Sequence, residues 1–341
     1  MFNFDTTKFT QMLSRMNEPP DVAQTPSEVI YRENKLSVLH YLPTTRRVFP
    51  VPILIVSSLI NKYYILDLMP GKSYVEYLVN QGLRVYMIDW GTPDFDDRTV
   101  TLEDHINGYL VNIVSSVLKH AQAKKLSLIG YCMGGTMALM YAALHRRYVK
   151  NLVTLATPVD FHNDTLLSLW GRREYFNVDR FIDTYGNAPA EILYRTFMML
   201  KPTKTITKYA DLLQHMDNEE YVKTFHAFDY WVRDVVSVPG ETFRKFVKHT
   251  YQDNSLAQNR MQLGKRRIHL QNVKCSLLNV AAEHDEIVPL KSSTVLMDLI
   301  GSQDKDRLTV KGGHHGLSIG PSALTIVWPK SAEWLKARSR A

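Results

Sequence analysis

Cys132, Asp285 and His314 have the residue types and the order in the chain to build covalent chemistry. Cys132 sits in Gly130-Tyr131-Cys132-Met133-Gly134, after an apolar run at 126–129 and before an apolar helical pattern reaching Leu144. Strand, sharp turn and helix, with the thiol at the turn, is a nucleophile elbow carrying cysteine in place of serine. The glycines two before and two after it let strand and helix pack closely around a residue held in a strained conformation. A helix starting just after Cys132 brings free backbone N–H groups and a positive dipole end beside the sulfur. That favours the thiolate and any oxyanion formed there.

Two later stretches supply partners. Cys275-Ser-Leu-Leu-Asn-Val280 reads as a buried strand, and Asp285 follows it at the carboxyl end, where sites of α/β sheets form. Lys311-Gly-Gly-His314-His315-Gly316 follows a short strand at 307–310. The order Cys132, Asp285, His314 is the nucleophile, acid, histidine order of the α/β-hydrolase fold. Glu283 and Glu286 remain alternative acids. His314 and His315 do not easily face one site together, and His314, next to Gly313, is the choice. The oxyanion donors are expected to be the Met133 N–H and one near Ile60, in the loop after the apolar run 52–58.

The elements that must position these groups alternate in type. Residues 28–42 alternate apolar and polar around Glu33-Asn34, which predicts a hairpin at a sheet edge. Strands are expected at 52–58, 83–88, 125–130, 152–156, 275–280 and 307–310, and helices at 73–81 and from Thr101 to about Ala121, opened by Thr101 and Asp104. Alternating strands and helices make a mostly parallel sheet covered on both faces. Leu126 to Leu144 is a 19-residue stretch without charge, but its internal glycines and strand-like start argue against a membrane span.

Domain organisation is read from a change of rhythm. Residues 1–25 are mostly polar and read as an N-terminal arm, and the core is expected over 26–160 and 265–341. Between them, 161–264 reads as an inserted helical lid. The span 161–251 holds 17 aromatic residues, against 5 Trp, 18 Tyr and 13 Phe in the whole chain. That is enough to pack a subdomain over the strand ends. Lining an apolar acyl tunnel and simply forming an aromatic core are equally good readings of it.

Composition narrows the classes. A formal charge of +7 with scattered Lys and Arg favours an anionic small substrate or surface over nucleic acid. The 2 cysteines, Cys132 and Cys275, lie far apart, so no disulfide framework is expected and a reducing cytosol fits; Cys275 reads as core. Met-Phe-Asn-Phe-Asp-Thr-Thr-Lys has no charged-then-apolar signal segment, so export by that route is not expected. The remaining histidines, among them His105, His120 and His284, lack metal-ligand spacing along the chain, and no metal is expected.

Taken together, Gly130-Tyr131-Cys132-Met133-Gly134-Gly135, Ile60-Asn-Lys-Tyr-Tyr-Ile-Leu-Asp-Leu68, Asp89-Trp90-Gly91, Asp285-x-Ile-Val-Pro289 and Gly313-His314 resemble the polyhydroxyalkanoate synthases. The resemblance runs from about residue 26 to the C-terminus. It implies a cytoplasmic, granule-associated enzyme that polymerises (R)-3-hydroxyacyl groups from coenzyme A thioesters, with the growing polyester carried on Cys132. No cofactor is implied, since the thioester is substrate. The length resembles the short catalytic subunits that work with a second, different subunit, and a homodimer of the catalytic chain is implied. In the family the acid matching Asp285 is thought to help activate the 3-hydroxyl for attack, so Asp285→Asn would still acylate Cys132 but elongate poorly. Two departures stand out: the family often has histidine right after the acid, where this chain has Glu286, and His315 follows His314.

The chemistry suits cysteine in its own right, because exchanging one thioester for another keeps the acyl group activated. Alternatives are a cysteine hydrolase or thioesterase using the same three residues, and a non-catalytic granule-binding or partner-binding module.

Overall fold

Strands β3 (Ile53–Val56) and β5 (Leu126–Tyr131) are buried along their whole length. Successive side chains of a strand point to opposite faces, so such runs must meet apolar layers on both sides. Leu54, Val56 and Leu128 enter one layer, and Ile53, Ile55 and Ile129 enter the other. Each fully buried side chain of this size contributes roughly 1.5–3 kcal/mol. The computed structural model that shows this describes Met16 and residues 18–339, apart from the side chains of 204–206. Most of the arm expected over 1–25 therefore lies outside the described residues.

The remaining strands of the sheet are β1 (Ser27–Glu33), β2 (Leu36–Tyr41), β4 (Val85–Asp89), β6 (Val149–Leu155), β9 (Ser276–Ala282) and β10 (Lys305–Val310), with a separate two-stranded ladder of β7 (Gln262–Leu263) and β8 (Arg266–Arg267). The order across the sheet is β1-β2-β4-β3-β5-β6-β9-β10. Pairing is parallel from β4 through β10, and antiparallel for β1 with β2 and β2 with β4. The hairpin turns at Asn34, whose φ is +50°, and places β1 at the sheet edge. From β3 the chain runs outward to β4 and then returns to β5 on the other side. The order thus reverses between β3 and β5, and a crevice opens there beyond the strand ends.

Helix starts are set by their caps. Ser73 Oγ accepts the Glu76 N–H at 2.9 Å and opens the helix Tyr74–Asn80. Thr101 and Asp104 exchange bonds as a capping box, Asp104 Oδ2 accepting the Thr101 N–H at 2.8 Å and Thr101 Oγ1 accepting the Asp104 N–H at 3.1 Å. The helix they open is wound wider at its start than expected: a π-type segment Asp104–Tyr109 precedes the α-helix Leu110–Ala121. The uncharged stretch 126–144 is broken at Cys132 into β5 and the helix Met133–Leu144. Among the described residues no helix is long and apolar enough to cross a membrane.

Between β6 and β9 the chain is mainly helical, through Leu166–Gly171, Val178–Tyr185, Ala190–Met199, Pro202–Gln214, Glu219–Arg233 and Gly240–Val247. Its aromatic residues divide into two groups. Phe161 stacks edge-on with Phe246 and Tyr251, and Phe176 packs with Phe181 and Phe243, which joins the insertion to the apolar layer that also holds Leu54, Val56 and Leu128. Tyr194, Phe197, Phe228 and Trp231 instead line a cavity over the crevice. Cys275 lies just before β9, packed against the core, and burial pushes its thiol up to about 12.

Candidate active site

The turn after β5 holds Cys132 at φ +53° and ψ −125°. A side chain is seldom found there unless its surroundings impose it. Two neighbours do so here. A Cβ on Gly134 would overlap the Val56 and Ser57 carbonyls, and one on Gly130 would overlap the Gly135 backbone, so only glycine lets the helix come this close to β3 and β5. The Cys132 N–H donates to the Leu155 carbonyl at 2.9 Å, and the Cys132 carbonyl accepts the Gly135 N–H at 2.9 Å. The strained residue is thus pinned from both sides while its side chain faces the cavity.

Asp285 lies in the loop after β9 with its side chain fully buried. Its Oδ1 accepts the Ile287 and Val288 N–H groups at 3.0 and 2.8 Å, and its Oδ2 accepts the His314 Nδ1–H at 2.8 Å. Both oxygens are therefore occupied, and the imidazole is held with Nε2 as its remaining nitrogen. Glu283 is exposed, and Glu286 pairs with Lys201 on the lid. Of the three acids, Asp285 is the one bonded to His314.

Burial pushes the His314 imidazole towards neutrality, but Tyr131, Asp285 and Cys132 around it outweigh burial and hold its pKa well above the ordinary value. Asp285 is the acceptor in direct contact, and burial pushes the Tyr131 hydroxyl up to about 12. Cys132 lies close enough that charge on its sulfur reaches His314.

His315 departs from the expectation that the two histidines cannot share a site, since both line the cavity. They sit in a 3-10 turn, His314–Leu317, where successive side chains splay widely, and their rings meet at 89° with centroids 5.1 Å apart. His315 Nδ1 is 3.1 Å from the Tyr131 hydroxyl, and its ring packs edge-on against Phe228 and Trp231 of the lid. Neither Tyr131 nor Trp231 stands out in the sequence as a site residue. Tyr131 lies inside the elbow motif, just beyond the strand expected at 125–130; nothing local marks Trp231 among so many aromatic residues.

Met133 is the first residue of its helix, so its N–H has no carbonyl within the helix to bond. Ile60 lines the cavity, but its N–H donates to Ser58 Oγ at 3.3 Å. The loop around it is fixed: Ser57 Oγ donates to the Ile88 carbonyl at 2.8 Å, and the Trp90 indole donates to the Ser57 carbonyl at 3.0 Å.

The cavity has a volume of ≈ 590 Å³. Its walls are largely apolar, with Ile65, Leu66, Met198 and Val232 among them; of the lysines that line it, Lys201 pairs with Glu286 and Lys208 with Asp229, and Lys62 bonds to Thr92 Oγ1 at 2.7 Å. A thiol at a helix start, a buried imidazole oriented by a carboxylate and an apolar chamber can form and hold an acyl-thioester away from water.

A profile described as the alpha/beta hydrolase fold matches residues 52–321, and one described as the poly-beta-hydroxybutyrate polymerase (PhaC) N-terminus matches residues 12–78. A poly(3-hydroxyalkanoate) polymerase subunit PhaC from Haloferax mediterranei is 39% identical over 93% of this chain and 65% of its own length. The protein of the same name from Allochromatium vinosum is 38% identical over 94% of this chain and 91% of its own length. Among solved structures, a thermophilic esterase from Thermogutta terrifontis superimposes with TM-score 0.55 and 15% identity over 92% of this chain and 100% of that one, a likeness of fold alone. On these relationships, and with a cysteine elbow at the centre of the sheet, the chain belongs to the poly(3-hydroxyalkanoate) polymerase family, acyltransferases built on the α/β-hydrolase fold.

Proposed function

We propose that the chain polymerises (R)-3-hydroxyacyl groups from coenzyme A thioesters by covalent catalysis on Cys132. The reading rests on one observation above others: a cysteine held at φ +53° opens onto the cavity that also receives His314, already oriented by Asp285. His314 takes the Cys132 proton, and the sulfur attacks the thioester carbonyl. The Met133 N–H, with a second donor from the Ile60 loop, holds the oxyanion, and coenzyme A leaves as a thiol. A 3-hydroxyl then attacks an acyl-thioester, extending the polyester by one ester bond and freeing one thiol. No cofactor enters this scheme.

Lys62 at the cavity and the net charge of +7 suit the phosphates of coenzyme A. We place the working enzyme in the cytoplasm at the surface of polyester granules, as a homodimer that a second subunit activates. The relatives' description as polymerase subunits supports the last point. The pure chain should then show slow turnover and a lag, and full activity without added protein would count against the second subunit.

Incubation of the purified chain with 3-hydroxybutyryl-coenzyme A, following thiol and polymer together, tests the central reading. Polymer with thiol is expected. Free 3-hydroxy acid with thiol would make the chain a hydrolase, and binding without thiol release would make it a non-catalytic module.

A further inference from the structure

A second cluster of ligating side chains lies outside the cavity lining, on the hairpin side of the sheet. Glu28 of β1 is paired directly with His40 of β2, and His40 with Tyr86 of β4. Side chains paired in this way across neighbouring strands stand side by side on one face. The last turn of the helix Leu110–Ala121 brings His120 to the same place. His40 Nδ1 is 2.9 Å and His120 Nε2 is 3.9 Å from Glu28 Oε1, and one ligand atom from each residue lies within 4.8 Å of the others.

Several features suit a cation. Two imidazoles and a carboxylate form a borderline donor set of the kind that holds Zn²⁺ and its neighbours. Ligands of one tetrahedral ion stand about 3.3 Å apart, given metal–ligand bonds near 2.0–2.2 Å. The present separations, 2.9 and 3.9 Å from Glu28 Oε1 and within 4.8 Å overall, bracket that spacing. The second nitrogen of His120, Nδ1, is 2.9 Å from the Tyr86 hydroxyl, the kind of outer partner that orients a ligating ring. His40 Nε2 is buried without a partner, so Nδ1 is the nitrogen presented to the cluster, and the ring stacks on Tyr86 at 4.7 Å. The nearby Arg84 guanidinium donates to the Ala121 carbonyl at 2.8 Å.

We propose that Glu28, His40 and His120 bind one divalent transition cation of the Zn²⁺ class, tying the edge strand β1 to β2 and to the end of the helix Leu110–Ala121. Glu28 and His120 are exposed, so the ion enters from solvent and water completes its coordination. The role is structural. A sheet edge presents unpaired N–H and C=O groups and invites pairing with other chains, and a cation across β1 holds that edge in register. Ligands at 28, 40 and 120, on three separate elements, leave no spacing motif in the sequence.

The test uses the full chain, free of any affinity tag and stripped with chelator. Zn²⁺ is titrated against a chromophoric competitor, the melting temperature is read with and without Zn²⁺, and the Co²⁺-substituted spectrum is recorded. About one ion per chain is expected, with a rise in melting temperature and a cobalt spectrum lacking a thiolate charge-transfer band. Glu28→Gln and His120→Gln, both exposed, should each weaken binding by roughly tenfold or more while leaving the metal-free melting temperature alone. Absence of one-to-one binding, or equal affinity in wild type and both variants, overturns the site. A thiolate band lost in Cys132→Ala would place the ion at the active-site cysteine and overturn it as well.

Discussion

The Trp231 indole N–H donates to the Lys62 carbonyl at 2.8 Å, which fastens the helix roofing the cavity to the loop that carries Ile60. Nearby bonds repeat the link: the Val236 N–H donates to the Ile60 carbonyl at 2.9 Å, and the Tyr64 hydroxyl donates to Asp234 Oδ2 at 2.6 Å. The 219–236 segment and the loop carrying Ile60 are therefore tied at three points. Trp231→Phe keeps the ring that stacks on Phe228 but removes the donor, and should cost about 1–2 kcal/mol. Hydrogen exchange should quicken both in 219–236 and in 59–66. Faster exchange in the helix alone would show that this bond does not couple the two segments.

Cys132→Ala should lower coenzyme A release by roughly 10³-fold or more, with circular dichroism and melting temperature unchanged. Alanine meets the same φ of +53° as the cysteine it replaces, so the turn carries no added strain. Appreciable turnover in a folded Cys132→Ala protein would remove the nucleophile assignment.

Asp285→Asn separates two roles. The family resemblance implies that the acid acts mainly on the 3-hydroxyl, so that only elongation suffers. Here, however, the carboxylate is fully buried and both oxygens are already bonded, so it reaches any hydroxyl only through His314. An asparagine amide would set a donor against His314 Nδ1–H and favour the wrong tautomer. The first coenzyme A released and the later steady rate should therefore fall together in a rapid-quench experiment. A normal first turnover followed by slow elongation would restore the separate role.

Acid should destabilise the fold through His105. This residue is buried, bonded through Nδ1 to the Thr101 carbonyl at 3.0 Å and Thr242 Oγ1 at 3.1 Å, and burial holds its pKa down to about 4. The unfolded chain takes up this proton near pH 6.5 and the folded one only near pH 4, so stability is lost as pH falls through that window. The shift corresponds to about 3 kcal/mol. Urea midpoints measured from about pH 7 to about pH 4.5 should fall less steeply for His105→Asn than for wild type. Parallel slopes would mean that His105 is not the titrating group.

Much of the site was legible from residues 130–134, 285 and 314, because an elbow is a local object: two glycines and a helix start declare it wherever it falls. The central strands were legible for a similar reason, since a run buried on both faces must be largely apolar, with few polar exceptions such as Ser127 and Asn279. Other features depended on which elements the fold brought together. Asp285 is the acid preferred from sequence over Glu283 and Glu286, but the burial of its side chain and its bond to His314 came from the tertiary structure, and the shared placement of His314 and His315 took the splay of a 3-10 turn. The aromatic insertion could be read from sequence only as a quantity of rings. Whether a ring lines the cavity, as Trp231 does, or packs into the core shared with the sheet, as Phe246 does, is set by helix orientation, which composition does not encode. The cluster of Glu28, His40 and His120 is the extreme case. Strand pairing and a helix end join residues remote along the chain, and only the tertiary structure turns three unremarkable side chains into one set of ligands.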